Sequence, residues 1–308
     1  MALTSSSALS SAITFKVQRQ VLQNLRGTLV WADPAYSQQG DFDAGHDVIT
    51  FVTVPDMSVA NTALTEGTAP TAVALTITTV TVSATQYGNL ISITDLAKVK
   101  SPIDIVGTSS ERLSFNARLT IDQITRDSIA ASGTPYFEGS ATTRAGLGSG
   151  NVLVANDLRK LRGKMYANKI PRFADGMYRI FVHPNVAYDL RNDSATGSWE
   201  DVRKYTDANA GNLIRGEVGS MEGFRVIEVW NAPTFTSTVT VYGSIAVGGI
   251  NGWGAGDLQT LQTYHVPAGG DHSDPLAQQE LVGWKVAFGV AALNNSYYFR
   301  LESAATAL

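Results

Sequence analysis

Hydrophobic positions recur every second residue in some stretches of this chain and every third or fourth in others, and the change of period divides it. Residues 1 to 40 hold neither period and are expected to form an extended or partly helical arm. From residue 48 the run Val-Ile-Thr-Phe-Val-Thr-Val is crowded with β-branched side chains until Pro55, which has no N–H for a ladder, so a strand is predicted. Leu75, Ile77, Val80, Val82 and Ala84 alternate with Thr and Ser in a second run whose phase slips at Thr78 and Thr79, as a bulge would make it. The two runs flank a loop containing Thr65-Glu66-Gly67-Thr68-Ala69-Pro70 and predict a long hairpin. Both of its faces are mostly Thr, Ser, Val and Ala, so it buries little of itself, and an isolated ribbon is marginal in water. It has to lean on another surface.

Past the hairpin the period becomes helical. Thr108-Ser109-Ser110-Glu111 has capping-box spacing, Leu113, Ala117, Ile121 and Ile124 form an apolar stripe, and Gly133 follows as a stop. The polar face of this helix carries Arg112, Arg118, Asp122, Arg126 and Asp127. Residues 134 to 150 read as a Gly/Ser/Thr loop. A second helix is expected from Asn156 as cap, with Leu158, Leu161 and Met165 inward and Arg159, Lys160, Arg162 and Lys164 outward, ending before Pro171. A strand over 178 to 182, a short helix over 186 to 190 behind Pro184, a polar loop over 192 to 216 with one helical turn near Trp199, and strands over 224 to 230 and 239 to 247 give the middle an α/β texture. Near the end Trp284, Val286, Phe288 and Val290 alternate, Asn294-Asn295 turns, and Phe299 and Leu301 alternate with Arg300 and Glu302, which predicts a hairpin with one buried face. No internal repeat is present.

Composition changes this picture in one respect. The 308 residues suffice for about two domains, and 44% hydrophobic residues is ordinary, but only 16% are charged against roughly 25% in a typical soluble domain. Charged residues are depleted where proteins bury surface against each other, so much of this surface is expected to be interface. The net charge of −4 is also unevenly laid out. Lys16, Arg19 and Arg26 stand without an acid in the first 26 residues, whereas residues 27 to 97 hold Asp33, Asp41, Asp43, Asp47, Asp56, Glu66 and Asp95 without one Lys or Arg. Either this is chance in a low-charge chain, or the segment docks on a surface that supplies the cations.

Candidate chemistry is sparse. With no cysteine there is no disulfide framework, thiolate metal site or Cys nucleophile. No basic residue precedes Lys16 and no long apolar run occurs, so neither a signal peptide nor a membrane anchor is expected. His46, His183, His265 and His272 lie in different elements; His183, before Pro184, reads as a strand-end residue. Asp271-His272-Ser273-Asp274 offers donors in consecutive positions, which rarely converge on one ion. Residues 146 to 150 and 248 to 254 are Gly-rich but lack the phosphate-cradle signatures and read as turns. No nucleophile elbow occurs, no carboxylate pair recommends itself, and the outward face of the second helix is the one locally basic patch, read as solvated surface. No catalytic, cofactor or metal residue is expected.

The order of several short motifs resembles a known family. Leu64-Thr65-Glu66-Gly67 with Pro70, Gln86-Tyr87-Gly88 leading into Ile93-Thr94-Asp95, and Thr120, Asp122, Arg126 and Asp127 ending at Gly133-Thr134 are the first of them. Asn156-Asp157-Leu158-Arg159-Lys160, His183-Pro184 with Ala187-Tyr188-Asp189-Leu190, Gly216-Glu217-Val218-Gly219 with Gly223, and Asp274-Pro275-Leu276 before Val282-Gly283-Trp284-Lys285 follow. Across roughly residues 60 to 303 the chain resembles tailed-phage major capsid proteins of the Hong Kong 97-type fold, in the branch typified by the coat protein of coliphage N-four. The resemblance implies an α+β fold. It would comprise an N-terminal arm (1–40), an extended β-hairpin loop (41–97), a peripheral domain with a long spine helix (98–150 and 271–308) and an axial α/β domain (151–270).

It further implies a structural protein, not an enzyme, that forms pentamers and hexamers in an icosahedral shell around double-stranded DNA, without reading its sequence. Assembly would occur in the bacterial host cytoplasm with scaffolding and portal proteins and a possible decoration protein, and the product would be the virion capsid. Because no long cleavable N-terminal region lies within these residues, the scaffold is expected to be a separate protein. Some shells of this fold cross-link through a Lys on the extended loop; here residues 27 to 97 contain none, so noncovalent contacts or decoration proteins are expected instead. The charge map adds its own expectation, that Asp56 and Glu66 contact Arg112 and Arg118 of another subunit. Two other classes stay open at this point: an encapsulin-like nanocompartment shell, and a β-rich hydrolase or carbohydrate-binding domain.

Overall fold

The computed structural model describes residues 30–40, 42, 46–64, 66–69, 71–101, 104–139, 141–193, 217–249, 251–269, 274 and 276–306. The first 29 residues of the expected arm, the turn near Trp199 and Asp271-His272-Ser273 lie outside them. Along the described chain run β1 (Gln38–Gln39), β2 (Val48–Thr53), β3 (Thr78–Ser83), β4 (Thr85–Thr94), α1 (Asp95–Lys100) and α2 (Ile105–Ser132). Next come β5 (Thr134–Phe137), a 3-10 turn (Arg144–Gly146), α3 (Ala155–Ala167), β6 (Tyr178–Val182) and α4 (Pro184–Asn192). The remainder is β7 (Glu217–Met221), β8 (Phe224–Glu228), β9 (Thr234–Thr236), β10 (Thr240–Val247), β11 (Trp253–Val266), β12 (Gln279–Ala292) and β13 (Tyr298–Ser303).

The strands form three sheets. One has the order β1-β11-β12-β4, a mixed one has the order β5-β13-β10-β6-β8-β7 with β9 also paired to β10, and β2 and β3 form a ribbon by themselves. Helix α2, 28 residues and so about 42 Å long, is longer than one core needs and serves two. Leu113 and Ala117, from its first half, pack with Val282, Trp284, Val286 and Phe288 on one face of the β1-β11-β12-β4 sheet. Farther along, Ile129 joins Trp31, Phe181, Ile245, Trp253 and Tyr298 against the larger sheet. The opposite face of the larger sheet is covered by α3 and α4 through Leu158, Leu161, Met165, Val186 and Leu190.

Where the two sheets meet along α2, a carboxylate is buried. Asp122, only 5% exposed, accepts hydrogen bonds from the Val30 and Trp31 backbone N–H groups at 3.1 and 2.9 Å and from the Asn231 amide at 2.6 Å. The Trp31 indole N–H donates to Asn231 Oδ1 at 3.2 Å, and Arg126 donates to the Asn231 carbonyl at 3.0 Å. The chain is thereby pinned to the spine just before β1. Residues 30 to 40, expected to belong to an extended or partly helical arm, join the core at this point, with Trp31 fully buried.

Several local expectations are corrected. Helix α2 starts a turn earlier than the capping-box spacing implies: Asp104 is the N-cap, accepting from the Gly107 N–H at 3.1 Å, and Thr108 lies inside the first turn, donating to the Asp104 carbonyl at 2.8 Å. Helix α3 is capped at Val154, whose side chain cannot accept a bond, and Asp193 accepts from the Ala155 N–H instead. Residues 134 to 137, read as loop, form β5 because β13 offers them a parallel partner. The expected C-terminal hairpin does not form: β12 pairs with β11 and β4, while β13 pairs with β10 and β5, so the chain crosses between sheets at residues 293 to 297.

Asp122→Ala removes the acceptor of three donors. At about 1–3 kcal/mol for each unsatisfied buried group, the variant is expected to lose at least ~2 kcal/mol in urea unfolding followed by tryptophan fluorescence. A loss within the ~0.5 kcal/mol of an ordinary surface change would mean that this carboxylate does not hold the junction.

Candidate functional site

The two-stranded ribbon expected from the sequence is present, with Val48 opposite Ser83 and Thr53 opposite Thr78, but its second strand begins at Thr78, not at Leu75, and no bulge interrupts the pairing. The connection over residues 54 to 77 contains no strand among its described residues, and every one of them is exposed. Val52, Val54, Met57, Val59, Leu64, Val73, Leu75 and Ile77 are exposed large hydrophobics of this ribbon and its connection, Val59 at 84%. At about 25 cal/mol per Å² of apolar area, leaving that surface in water is unfavourable, and contiguous apolar exposure of this kind marks an interaction surface.

The root of the ribbon is packed as closely as the tip is open. Ile49 and Val82 are buried and Phe51 is half-buried because three glycines of the β11–β12 pair give them room. A methyl group on Gly289 would lie 2.6 Å from the Ser83 carbonyl oxygen and 2.8 Å from Val82 Cγ1, and one on Gly254 would lie 2.8 Å from the Phe51 ring. One on Gly256 would overlap the Gly40 carbonyl and Ile49 Cδ1. Glycine inside a strand costs about 0.5–1 kcal/mol relative to Ala, and here the missing side chain is what lets a second layer sit on the sheet. Gly254, read as part of a turn, is therefore a strand residue, while Gly249 does turn, at φ 70°.

Of the residues expected to make contacts between subunits, Asp56 and Glu66 are exposed on the connection, Arg112 is exposed on α2, and Arg118 is half-buried there with its guanidinium 5.0 Å from the centre of the Phe115 ring. Among the described residues, no ion pair joins these two acids to these two arginines. Phe115, Leu90, Leu96 and Val99 add exposed apolar area on α2, β4 and α1.

The buried charges are cross-ties between elements. Glu302, fully buried on β13, accepts from Arg144 at 2.6 and 2.8 Å and from Arg300 at 2.8 Å, and both guanidinium groups lie over the Phe235 ring. Asp175 bridges Arg179 and Arg225, neighbours across β6 and β8, at 2.7 and 2.8 Å. Glu280 of β12 pairs with His265 of β11 at 2.5 Å and with Lys98 of α1. Burial raises the Glu280 carboxyl, but hydrogen bonds from Lys98 and His265, together with their charges, outweigh it and hold the group below its ordinary value of 4.5. His183, expected at a strand end, is the N-cap of α4: its Nδ1 accepts from the Asn185 N–H at 3.2 Å, and burial holds its imidazole below the ordinary value. Among the described residues no group of three or more His, Asp or Glu side chains is placed to hold a metal ion, and no helix is long and apolar enough to cross a membrane. The sequence could not announce the three carboxylate clusters whole, because each has at least one partner from a distant element: Arg144 for Glu302, Arg225 for Asp175 and Lys98 for Glu280.

A long helix shared by two sheets, with a ribbon projecting from a glycine seat and an apolar surface awaiting a partner, defines a structural subunit built to assemble. The chain matches the family described as phage capsid protein over residues 76–300, and it belongs to that family. Solved structures agree on the fold. The capsid of cyanophage P-SCSP1u is 16% identical, with a TM-score of 0.67 over 91% of this chain and 89% of that one. The cyanophage Pam1 capsid is 13% identical, with a TM-score of 0.68 over 91% and 93%, and the capsid of Ralstonia phage GP4 is 14% identical, with a TM-score of 0.67 over 90% and 89%. No curated protein matches the chain in sequence. The protein is thus a major capsid protein of Hong Kong 97-type fold, structural and not enzymatic, and a component of multi-subunit shells. The nanocompartment and hydrolase readings are not favoured.

Two outcomes are expected. Gly256→Val puts a branched side chain under the ribbon root, and overpacking of this sort costs about 1–3 kcal/mol. The subunit should keep its circular dichroism but assemble poorly, and full shell yield by sedimentation would show that the seat is dispensable. The depressed Glu280 carboxyl contributes stability that is complete above its unfolded value and is lost as pH falls through the lower folded value. The stability advantage of wild type over Glu280→Gln should therefore be largest at neutral pH and shrink below about pH 4.5; an advantage that is unchanged or grows in acid would contradict the pairing.

Proposed function

We propose that this chain closes, as pentamers and hexamers, into the icosahedral shell around the double-stranded DNA of a tailed phage related to coliphage N-four, without reading base sequence. The observation that carries this reading is the ribbon: its root is fitted to its own subunit while its apolar, cation-free tip has no partner among the described residues. A tip of this kind is suited to cross onto a neighbouring subunit, where Arg112 and Arg118 offer cations to Asp56 and Glu66. Complementary charge of this sort steers encounter and selects register more than it adds affinity. With no Lys in residues 27 to 97, the shell is held by noncovalent contacts or by a decoration protein.

The domain division expected from the sequence is retained as part of the proposal, with one refinement supported by strand pairing. Arm (1–40), extended loop (41–97), peripheral domain (98–150 and 271–308) and axial domain (151–270) are the functional units; by strand pairing, β4 and β11 count with the peripheral sheet, which contains β12, and β5 and β13 with the axial sheet, which contains β6, β8 and β10. Assembly in the host cytoplasm with a separate scaffold and a portal protein completes the proposal.

Light scattering and negative-stain microscopy of the purified chain, alone and with its genomic neighbours coexpressed, test the reading. Closed shells, or capsomers that close when a scaffold is added, are expected; a monomer that never assembles would overturn it. Asp56→Lys with Glu66→Lys should lower shell yield severalfold, and adding Arg112→Glu should restore part of it. Unchanged yield and unchanged salt sensitivity in the double variant would remove the charge-pairing idea while leaving the shell intact.

A further inference from the structure

The most concentrated charge in the described structure lies far from the ribbon. Residues 155 to 172 carry Arg159, Lys160, Arg162, Lys164, Lys169 and Arg172 against the single carboxylate of Asp157, in a chain whose net charge is −4. Packing keeps all six out of the core. Leu158, Leu161 and Met165 of α3 are fully buried against the larger sheet, so the opposite face is turned to solvent, and all six cations are exposed. Arg159 is paired with Glu222 at 2.9 Å and Lys160 with Asp157 at 3.2 Å. Among the described residues, Arg162, Lys164, Lys169 and Arg172 have no ion pair. Lys164 and Arg172 instead lie over aromatic rings, Lys164 4.3 Å from Tyr136 and Arg172 5.4 Å from the exposed Tyr166, which orders their stems and leaves the charges uncompensated.

The turn after α3 is held rigidly in an unfavourable conformation. Lys169 has φ 56°, the left-handed position after a helix that Gly usually fills, while the Ile170 N–H donates to the Met165 carbonyl at 3.1 Å. The turn is clamped because a methyl group on Gly248 would overlap Ile170 and the Pro171 carbonyl. A lysine is thus kept where a glycine would be less strained.

We infer that the outer face of α3 and the turn over 169 to 172 form a lumenal patch that contacts the phosphate backbone of packaged duplex DNA. The inference rests on the capsid reading for what fills the shell. Number decides between polyanion and subunit: the connection of the ribbon carries only Asp56 and Glu66, too few to neutralise four unpaired cations, whereas duplex DNA presents one charge per about 1.7 Å of axis along a helix face about 20 Å long. Contacts of this kind carry no sequence information. They would also orient the subunit, with α3 inward.

The test is fluorescence anisotropy of a random-sequence 40-base-pair duplex with the full chain across a salt series. Wild type should bind with an affinity that falls with salt. Replacing Arg162, Lys164, Lys169 and Arg172 by Gln should lower affinity at least tenfold and reduce the log–log salt slope by about 3 to 4, near 0.9 for each phosphate that is no longer neutralised. Lys100→Gln with Lys285→Gln, on α1 and β12, should change neither. Lys169→Gly guards against misfolding: it relieves the left-handed residue, so its thermal midpoint should hold or rise while the slope falls by about 0.9, the share of a single phosphate. Equal loss of affinity in both multiple variants, or none in either, overturns the patch. So does unchanged DNA binding combined with failure of shells to close, which would make this face a subunit contact. Anisotropy decides the patch whether or not shells close, and absence of shells from the wild-type chain counts against the capsid reading alone.

Discussion

The Asp122 carboxylate sits where three parts of the chain have to agree. A 28-residue helix cannot be stabilised by one small sheet, so its two halves pack against different ones, and the crossover needs a group that bonds to neighbours on both sides. A buried carboxylate is costly unless its acceptor sites are filled, and here backbone N–H groups from residues 30 and 31 and the side chain of Asn231 fill them. The entering chain, the spine and the segment after β8 are tied at one atom pair. That tie determines where β1 joins β11, and β1 leads within a few residues to the ribbon.

The ribbon inherits its direction from that constraint. Gly40 and Ile49 meet Gly256, Phe51 meets Gly254, and Ser83 meets Gly289, so the strands leave the body over the face of the sheet opposite to α2. A rigid root and an open tip are complementary requirements. If the root were loose, ordering it on contact would consume much of the free energy gained by burying Val54, Met57 and Val59 on a neighbour. If the tip carried both signs of charge, it could satisfy itself; lacking any cation, it cannot.

Much of the framework was legible because it follows from local period. β2, β3, α2, α3, β6, α4, β8 and β10 stand where alternation or helical spacing places them, with ends displaced by a few residues. The misses share a cause: their partners are remote. β11 reads as Trp-Gly-Ala-Gly-Asp-Leu before its register slips between Asp257 and Gln259 and again before Gln262, so neither period persists. Its glycines look like turns to a local reading and are intelligible only once the ribbon is laid on them. β12 and β13 alternate as a hairpin would, yet they enter different sheets, a choice made by β10 and β4. Trp31 is a lone aromatic in an aperiodic stretch, with nothing nearby to announce Asp122 ninety-one residues away. At the assembly surface, the cation-free stretch was visible in composition, whereas the fit of the root required coordinates.

The low charge content takes on a different meaning once the ion pairs are placed. Glu302, Arg144 and Arg300, Asp175, Arg179 and Arg225, and Glu280 with Lys98 are spent inside the subunit, and each cluster includes one tie between elements far apart in sequence. Such clusters are a weak source of stability compared with apolar packing, but removing one partner is strongly destabilising, so they discriminate against wrong pairings. With those groups withdrawn, two parts of the exposed surface are dominated by one sign, a ribbon with only acids and a helix face with an excess of bases, whereas α1 and α2 expose both signs. The two one-sign parts lie on different elements, the ribbon over the β11–β12 sheet and the helix face beyond the larger one. If the helix face holds a polyanion as proposed, keeping the two signs apart in this way serves both surfaces, because mixing them on one surface would let each neutralise the other.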